Sequence, residues 1–128
     1  MNDINLTKAR KQKAIMKVSE IARLINAHII CNSDDDREVS KAFASDLMSD
    51  VLTLETDNTL LITGLANVQA IRTAEMSDIN CIVFARNKKV NEEMKKVALE
   101  NDIVLLETSF SVFRTSGILY QEGIKPIF

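Results

Sequence analysis

The chain of 128 residues is long enough for one domain with a substantial core, and its 46% hydrophobic and 27% charged side chains exclude both a disordered tail and a membrane-embedded bundle. Three glycines and one proline argue against an all-β fold full of tight turns, and 5% aromatics without tryptophan argue against base- or sugar-stacking surfaces. The formal charge of −2 is uneven, because residues 1–25 carry six basic and two acidic side chains and residues 26–128 carry ten and sixteen. Only the first segment attracts a phosphate backbone.

Residues 1–15 read as a basic extension, and the patterned domain occupies residues 16–128. Val18, Ile21, Leu24 and Ile25 recur at helical spacing. That helix starts at Ser19 or earlier, since Thr7–Met16 is also rich in helix formers, and ends near Asn26. Ala27–Cys31 is short and β-branched, which predicts a strand, and Val39–Ala44 predicts a weaker one after the acidic loop Asn32–Asp36. Ser45-Asp46 is placed to cap a helix carrying Leu47, Met48, Val51 and Leu52 on one face. Thr59–Thr63 and Cys81–Ala85 are continuous apolar runs, hence buried strands of a parallel sheet, and Ile103–Leu106 is a third.

Between these strands, Asn67 caps a helix with Val68, Ile71, Ala74 and Met76 inward, and Asn91 caps one with Met94, Val97 and Ala98 inward. Ser109 opens the last helix, with Phe110, Phe113, Ile118 and Leu119, and Gly123 and Pro126 stop it. Strand followed by helix three times over predicts right-handed parallel crossovers. The fold class is α/β: layered helices on a mostly parallel sheet of about five strands, in a single domain.

Cys31 and Cys81 lie in apolar runs and read as small buried hydrophobes rather than a disulfide framework. With His28 the only histidine, a half-buried spacer heading its strand, no zinc site and no triad assembles from local spacing. No signal-like segment and no apolar run of membrane length is present, which places the chain in the cytoplasm and away from membranes.

Three features carry candidate chemistry. Thr63, Gly64 and Asn67 stand where a strand turns into a helix, the place where open α/β sheets receive ligands and where helix N–H groups favour anions. The same residues also serve a plain turn, with Gly64 bending and Asn67 capping. Ser45-Asp46 and Ser49-Asp50 repeat at a spacing of four, giving acceptor-rich groups on one helical side, or simply a cap with first-turn acids. Arg72 can fork onto a phosphate or a partner's carboxylate, or pair with Glu75 on the surface, and Arg86 is similarly placed at a strand end. There is no phosphate-loop lysine motif and no G-x-G-x-x-G, so nucleotide hydrolysis and dinucleotide binding have no support.

Met16–Ala22, Ala44–Leu52 (ASDLMSDVL), Leu61–Gln69 and Ile71–Met76 (IRTAEM) together resemble the DRTGG domain family, above all its stand-alone bacterial members. The resemblance covers residues 16–123. It implies a fold similar to the N-terminal domain of HPr kinase/phosphorylase. It also implies a role like that of the domains that accompany CBS domains in some inorganic pyrophosphatases, or a CbiA-like domain in phosphotransacetylases. Those are regulatory or assembly units rather than catalysts.

The combined reading is a non-catalytic regulatory or assembly module, not an enzyme. It senses an anionic, nucleotide-like small molecule at Thr63, Gly64 and Asn67, with Arg72 as counter-charge and Ser45 and Asp46 beside them. No catalytic residue, metal or cofactor is assigned. A partner enzyme is expected, as is a homodimer whose seam could be formed by Met16, Met48, Met76 and Met94. Two alternatives stay open. One is a nucleic-acid-binding or transcriptional regulator using the basic segment and VSEIARLINA as the start of a helix-turn-helix; the other is a small enzyme of unknown class using Asp46, Asp50 or Glu75.

Overall fold

The computed structural model describes residues 15–54 and 57–128. The elements in chain order are β1 (Met16–Lys17), α1 (Val18–Leu24), β2 (His28–Cys31), β3 (Glu38–Val39), β4 (Lys41–Ala44), α2 (Met48–Val51), β5 (Thr59–Thr63), α3 (Val68–Met76), β6 (Cys81–Phe84), α4 (Glu92–Glu100), β7 (Val104–Glu107), α5 (Val112–Gln121) and β8 (Lys125–Pro126). The main sheet has six strands in the order β2-β7-β6-β5-β4-β8, and a two-stranded ribbon pairs β1 with β3. All neighbours in the main sheet run parallel except β2, which is antiparallel to β7. The basic extension lies outside the described residues apart from Ile15.

Two apolar layers sandwich the sheet. Leu61, Ile82, Phe84 and Leu105 point to one face, where α2, α3 and α4 cover them with Met48, Val51, Ile71, Ala74, Met94 and Val97. Leu60, Ile62, Cys81, Val83, Val104 and Leu106 point to the other, under Ile21 and Ile25 of the first helical segment and Leu119 of α5. The alternation along each strand follows from the two-residue period of β-structure, and both faces being apolar is what makes the runs continuous. Strands β5, β6 and β7 are buried throughout.

Scarce glycine does not starve this fold of turns. Asn26, Asp78 and Asp102 take positive φ at the ends of α1, α3 and α4, and in each case the next residue donates its N–H back five positions, as Ile79 does to Ala74 at 2.8 Å. Asn and Asp tolerate that left-handed position better than other residues with a Cβ.

Several expectations are corrected. The Val39–Ala44 run is broken at Ser40 into β3 and β4, which belong to different sheets. Pro126 does not merely stop α5; with Lys125 it adds the sixth strand, alongside β4. The last helix is capped by Ser111, whose side chain accepts from Arg114 N, rather than by Ser109. Phe113 and Met76 face solvent, and His28 is exposed. Met16 sits in a strand, and Met16, Met48 and Met94 are core residues, so the methionines make no exposed seam. The helix Val18–Leu24 is followed by a strand and not by a recognition helix, which removes the helix-turn-helix reading. Its N-terminus is capped from afar, because the Asp36 carboxylate accepts from both Ser19 N (2.9 Å) and Ser19 Oγ (2.7 Å). Those two bonds hold the Asp36 carboxyl below the usual carboxylate range.

Both cysteines are free and buried. Burial pushes the Cys81 thiol up to about 12 and raises Cys31 as well. Neither thiol will react with a disulfide reagent at neutral pH in the native protein, and both will react in denaturant. Rapid labelling of native Cys81 would contradict this burial. Among the described residues, no helix is long and apolar enough to cross a membrane.

Candidate functional site

The parallel direction of β4 to β7 brings four carboxyl ends to one edge of the sheet. At the β4 end, Ser45 N donates to Ile62 O at 3.0 Å, extending the ladder by one bond, and the Ser45 hydroxyl accepts from Leu47 N at 3.0 Å. This turn carries Asp46 toward β5. Its Oδ1 accepts from Thr63 Oγ1 at 2.9 Å and from Gly64 N at 2.7 Å. Ser45 and Asp46 therefore do not cap α2: the residue preceding that four-residue helix is Leu47, with no side-chain cap. The carboxylate is spent instead on clamping two neighbouring strand ends. Asn67 caps α3 as expected, accepting from Ala70 N at 3.0 Å.

At the β6 end the chain makes a turn whose two central residues, Arg86 and Asn87, have φ of 61° and 60°, closed by Lys88 N donating to Ala85 O at 3.3 Å. This is the pattern of a type I′ turn, which favours glycine or asparagine. An arginine there costs on the order of 1–2 kcal/mol of backbone strain. The strain is held by pairing with the chain after β7: Arg86 N donates to Phe110 O at 2.8 Å and Asn87 N to Thr108 O at 3.0 Å. Glu107, nearly buried, adds a further tie by accepting from Val90 N at 2.6 Å, with Lys89 Nζ at 3.7 Å from its other oxygen.

The turn lays the Arg86 side chain across Gly64. A Cβ at Gly64 would stand 2.9 Å from Arg86 Nε and 3.2 Å from Cζ. A side chain at position 64 would push the exposed Arg86 aside, so glycine here permits this close approach and serves no special backbone angle. The guanidinium is exposed and makes no ion pair among the described residues. Nearby, the Arg114 guanidinium lies 3.7 Å above the ring of Phe110. Arg86, Lys88 and Arg114 thus give this edge a positive rim beside the Asp46 and Glu107 carboxylates, although residues 26–128 as a whole are acidic.

Topology singles out the same place. The connection after β6 leads to α4 on one face, and that after β7 leads to α5 on the other. Ligands of open α/β sheets bind where neighbouring connections diverge in this way.

Of the six residues singled out from sequence, the fold joins Asp46, Thr63 and Gly64 by direct hydrogen bonds, with Ser45 and Asn67 on the adjoining turns. Arg72 is exposed on α3, outside that hydrogen-bonded cluster, and no ion pair joins it to Glu75. Arg86 and Glu107 are the residues the reading left out of the site. The signal for Arg86 was its place just after a buried strand; nothing in one dimension shows that it crosses to Gly64.

The family model for the DRTGG domain matches residues 20–121. The chain belongs to the DRTGG domain family. Its fold is similar to a solved structure of the CBS and DRTGG domains of the regulatory region of a Clostridium perfringens pyrophosphatase, complexed with its activator diadenosine tetraphosphate. The TM-score is 0.72 at 13% identity, over 91% of this chain and 50% of that one, so this DRTGG domain spans half the length of its neighbour. A search of curated protein sequences gave no match. Among the described residues of this DRTGG domain, no three His, Cys, Asp or Glu side chains gather in a group suited to a metal.

Proposed function

We propose that this DRTGG domain is a non-catalytic regulatory module that senses an anionic, nucleotide-like small molecule at the carboxyl ends of β5, β6 and β7. The observation that carries this reading is Arg86, whose guanidinium makes no ion pair among the described residues and lies over Gly64 from a strained turn at the point where the connections diverge. Strain of this kind concentrates at sites with a task. Asp46 already occupies Gly64 N and Asn67 occupies Ala70 N, so the anion takes its donors from Arg86 and from Val68 N and Gln69 N at the start of α3, which have no intrahelical acceptor. Thr63, Asn67, Ser45 and Asp46 frame the site, and Arg72 supplies a more distant counter-charge. The similarity to a regulatory region solved with a dinucleotide activator supports the ligand class. The Asp46 and Glu107 carboxylates serve as structural ties, Asp46 Oδ1 accepting from Thr63 Oγ1 and Gly64 N and Glu107 from Val90 N. In this reading the module acts in the cytoplasm, as a homodimer, on a partner enzyme.

Calorimetric titration with ATP, diadenosine tetraphosphate and inorganic phosphate tests it. Wild type is expected to bind at least one of the nucleotides. Arg86→Ala should weaken binding roughly ten- to hundredfold, the worth of a lost charged hydrogen bond. Gly64→Val should do the same by displacing Arg86 while leaving the fold intact. No heat with any of the three, or equal affinity for Arg86→Ala, overturns the reading.

A further inference from the structure

The outer face of α5 carries two exposed aromatic rings that the fold does not use. Thr115 and Leu119 bury the inner face, and Phe113 (87% exposed) and Tyr120 (68% exposed) point the opposite way. Gly117 lies between them, four residues after one and three before the other, on the same helical stripe. A Cβ at Gly117 would meet nothing within 4 Å, so neither crowding nor backbone angle within the chain calls for glycine. Glycine in an exposed helix interior is disfavoured relative to alanine, and what it offers in return is close approach of another backbone.

We infer that the Phe113–Gly117–Tyr120 face of α5 is the contact surface for a second copy of this chain. The spacing is self-complementary. Two α5 helices crossing antiparallel about a two-fold between Ser116 and Gly117 set Phe113 of each against Tyr120 of the other, with glycine at the crossing. The stripe itself carries no charge, and the flanking Arg114 rests over its own Phe110, so two like copies meet no repulsion there. A charged partner would find nothing on the stripe to pair with. The apolar surface continues from Tyr120 into a groove of about 250 Å³ between α5 and the β4–β8 edge, bordered by Ile124, Pro126 and Phe128. Pro126 on the outermost strand blunts further strand pairing, which directs association to the helix face rather than to an extended sheet.

This deepens the homodimer named above, and it stands apart from the anion site. Sedimentation velocity of the full chain from micromolar to hundred-micromolar concentration provides the test, with far-UV circular dichroism as the check on folding. Wild type is expected to sediment as a dimer, and Phe113→Glu and Gly117→Leu as folded monomers. Gly117→Ala should raise the melting temperature of the dilute protein and yet weaken the dimer, a combination that a purely structural glycine would not give. A monomeric wild type, or a dimer that survives both Phe113→Glu and Gly117→Leu, overturns the inference. Titrating Phe113→Glu with ATP reads the anion site separately, so the two proposals fail independently.

Discussion

Phe84→Ala should lower the melting temperature of this domain by roughly 10–20 °C. Phe84 is the largest side chain among those fully buried, and it sits on β6, which is flanked on both sides by parallel partners. It is packed in the layer formed by Leu61, Ile82, Leu105 and the helices α3 and α4. Truncating a buried phenylalanine costs about 3–5 kcal/mol, the lost transfer energy plus the cavity left behind. At this chain length each kcal/mol corresponds to roughly 3–5 °C. The strand ends immediately before the Arg86 turn, so the loss should also loosen the positive rim. A melting temperature within about 3 °C of wild type would mean that the neighbouring helices collapse into the space.

Asp46→Ala should cost about 2–3 kcal/mol although the residue is exposed, and it should disorder the sheet edge more than the core. One carboxylate oxygen accepts from both Thr63 Oγ1 and Gly64 N, and Gly64 is itself buried. Removing the acceptor leaves a buried backbone donor without a partner, and that is the larger part of the cost. Asp46→Asn retains an oxygen and should lose less than about 1 kcal/mol. Urea denaturation of the two variants measures the difference, and equal stability of Asp46→Ala and wild type would show that water replaces the carboxylate. Hydrogen exchange at Gly64 N gives the local readout: fast exchange in Asp46→Ala, slow in wild type.

Sequence alone specified the α/β class, the three buried parallel strands and the helices between them. These follow from local periodicity: apolar runs of four or five residues, and the caps Asn67 and Asn91, which accept from Ala70 N and Met94 N as their spacing requires. It also determined the buried state of both cysteines, because each lies inside such a run. The family likeness was legible in the same way, in contiguous residues.

Features that depend on meetings between distant segments were set by the assembled sheet instead. The partition of Val39–Ala44 between two sheets, and the pairing of Lys125–Pro126 with β4, depend on which edges are free when the sheet assembles. Asp46 reads locally as a helix cap, and long-range pairing of β4 with β5 turns it into a clamp on Thr63 and Gly64, seventeen and eighteen residues away. Arg86 reads as a loop charge until a left-handed turn, held by Thr108 and Phe110, lays it across Gly64. Periodicity specifies which face of an element is apolar. It carries no information about which polar side chain of one strand end meets the backbone of the next, and in this domain those meetings make the candidate site.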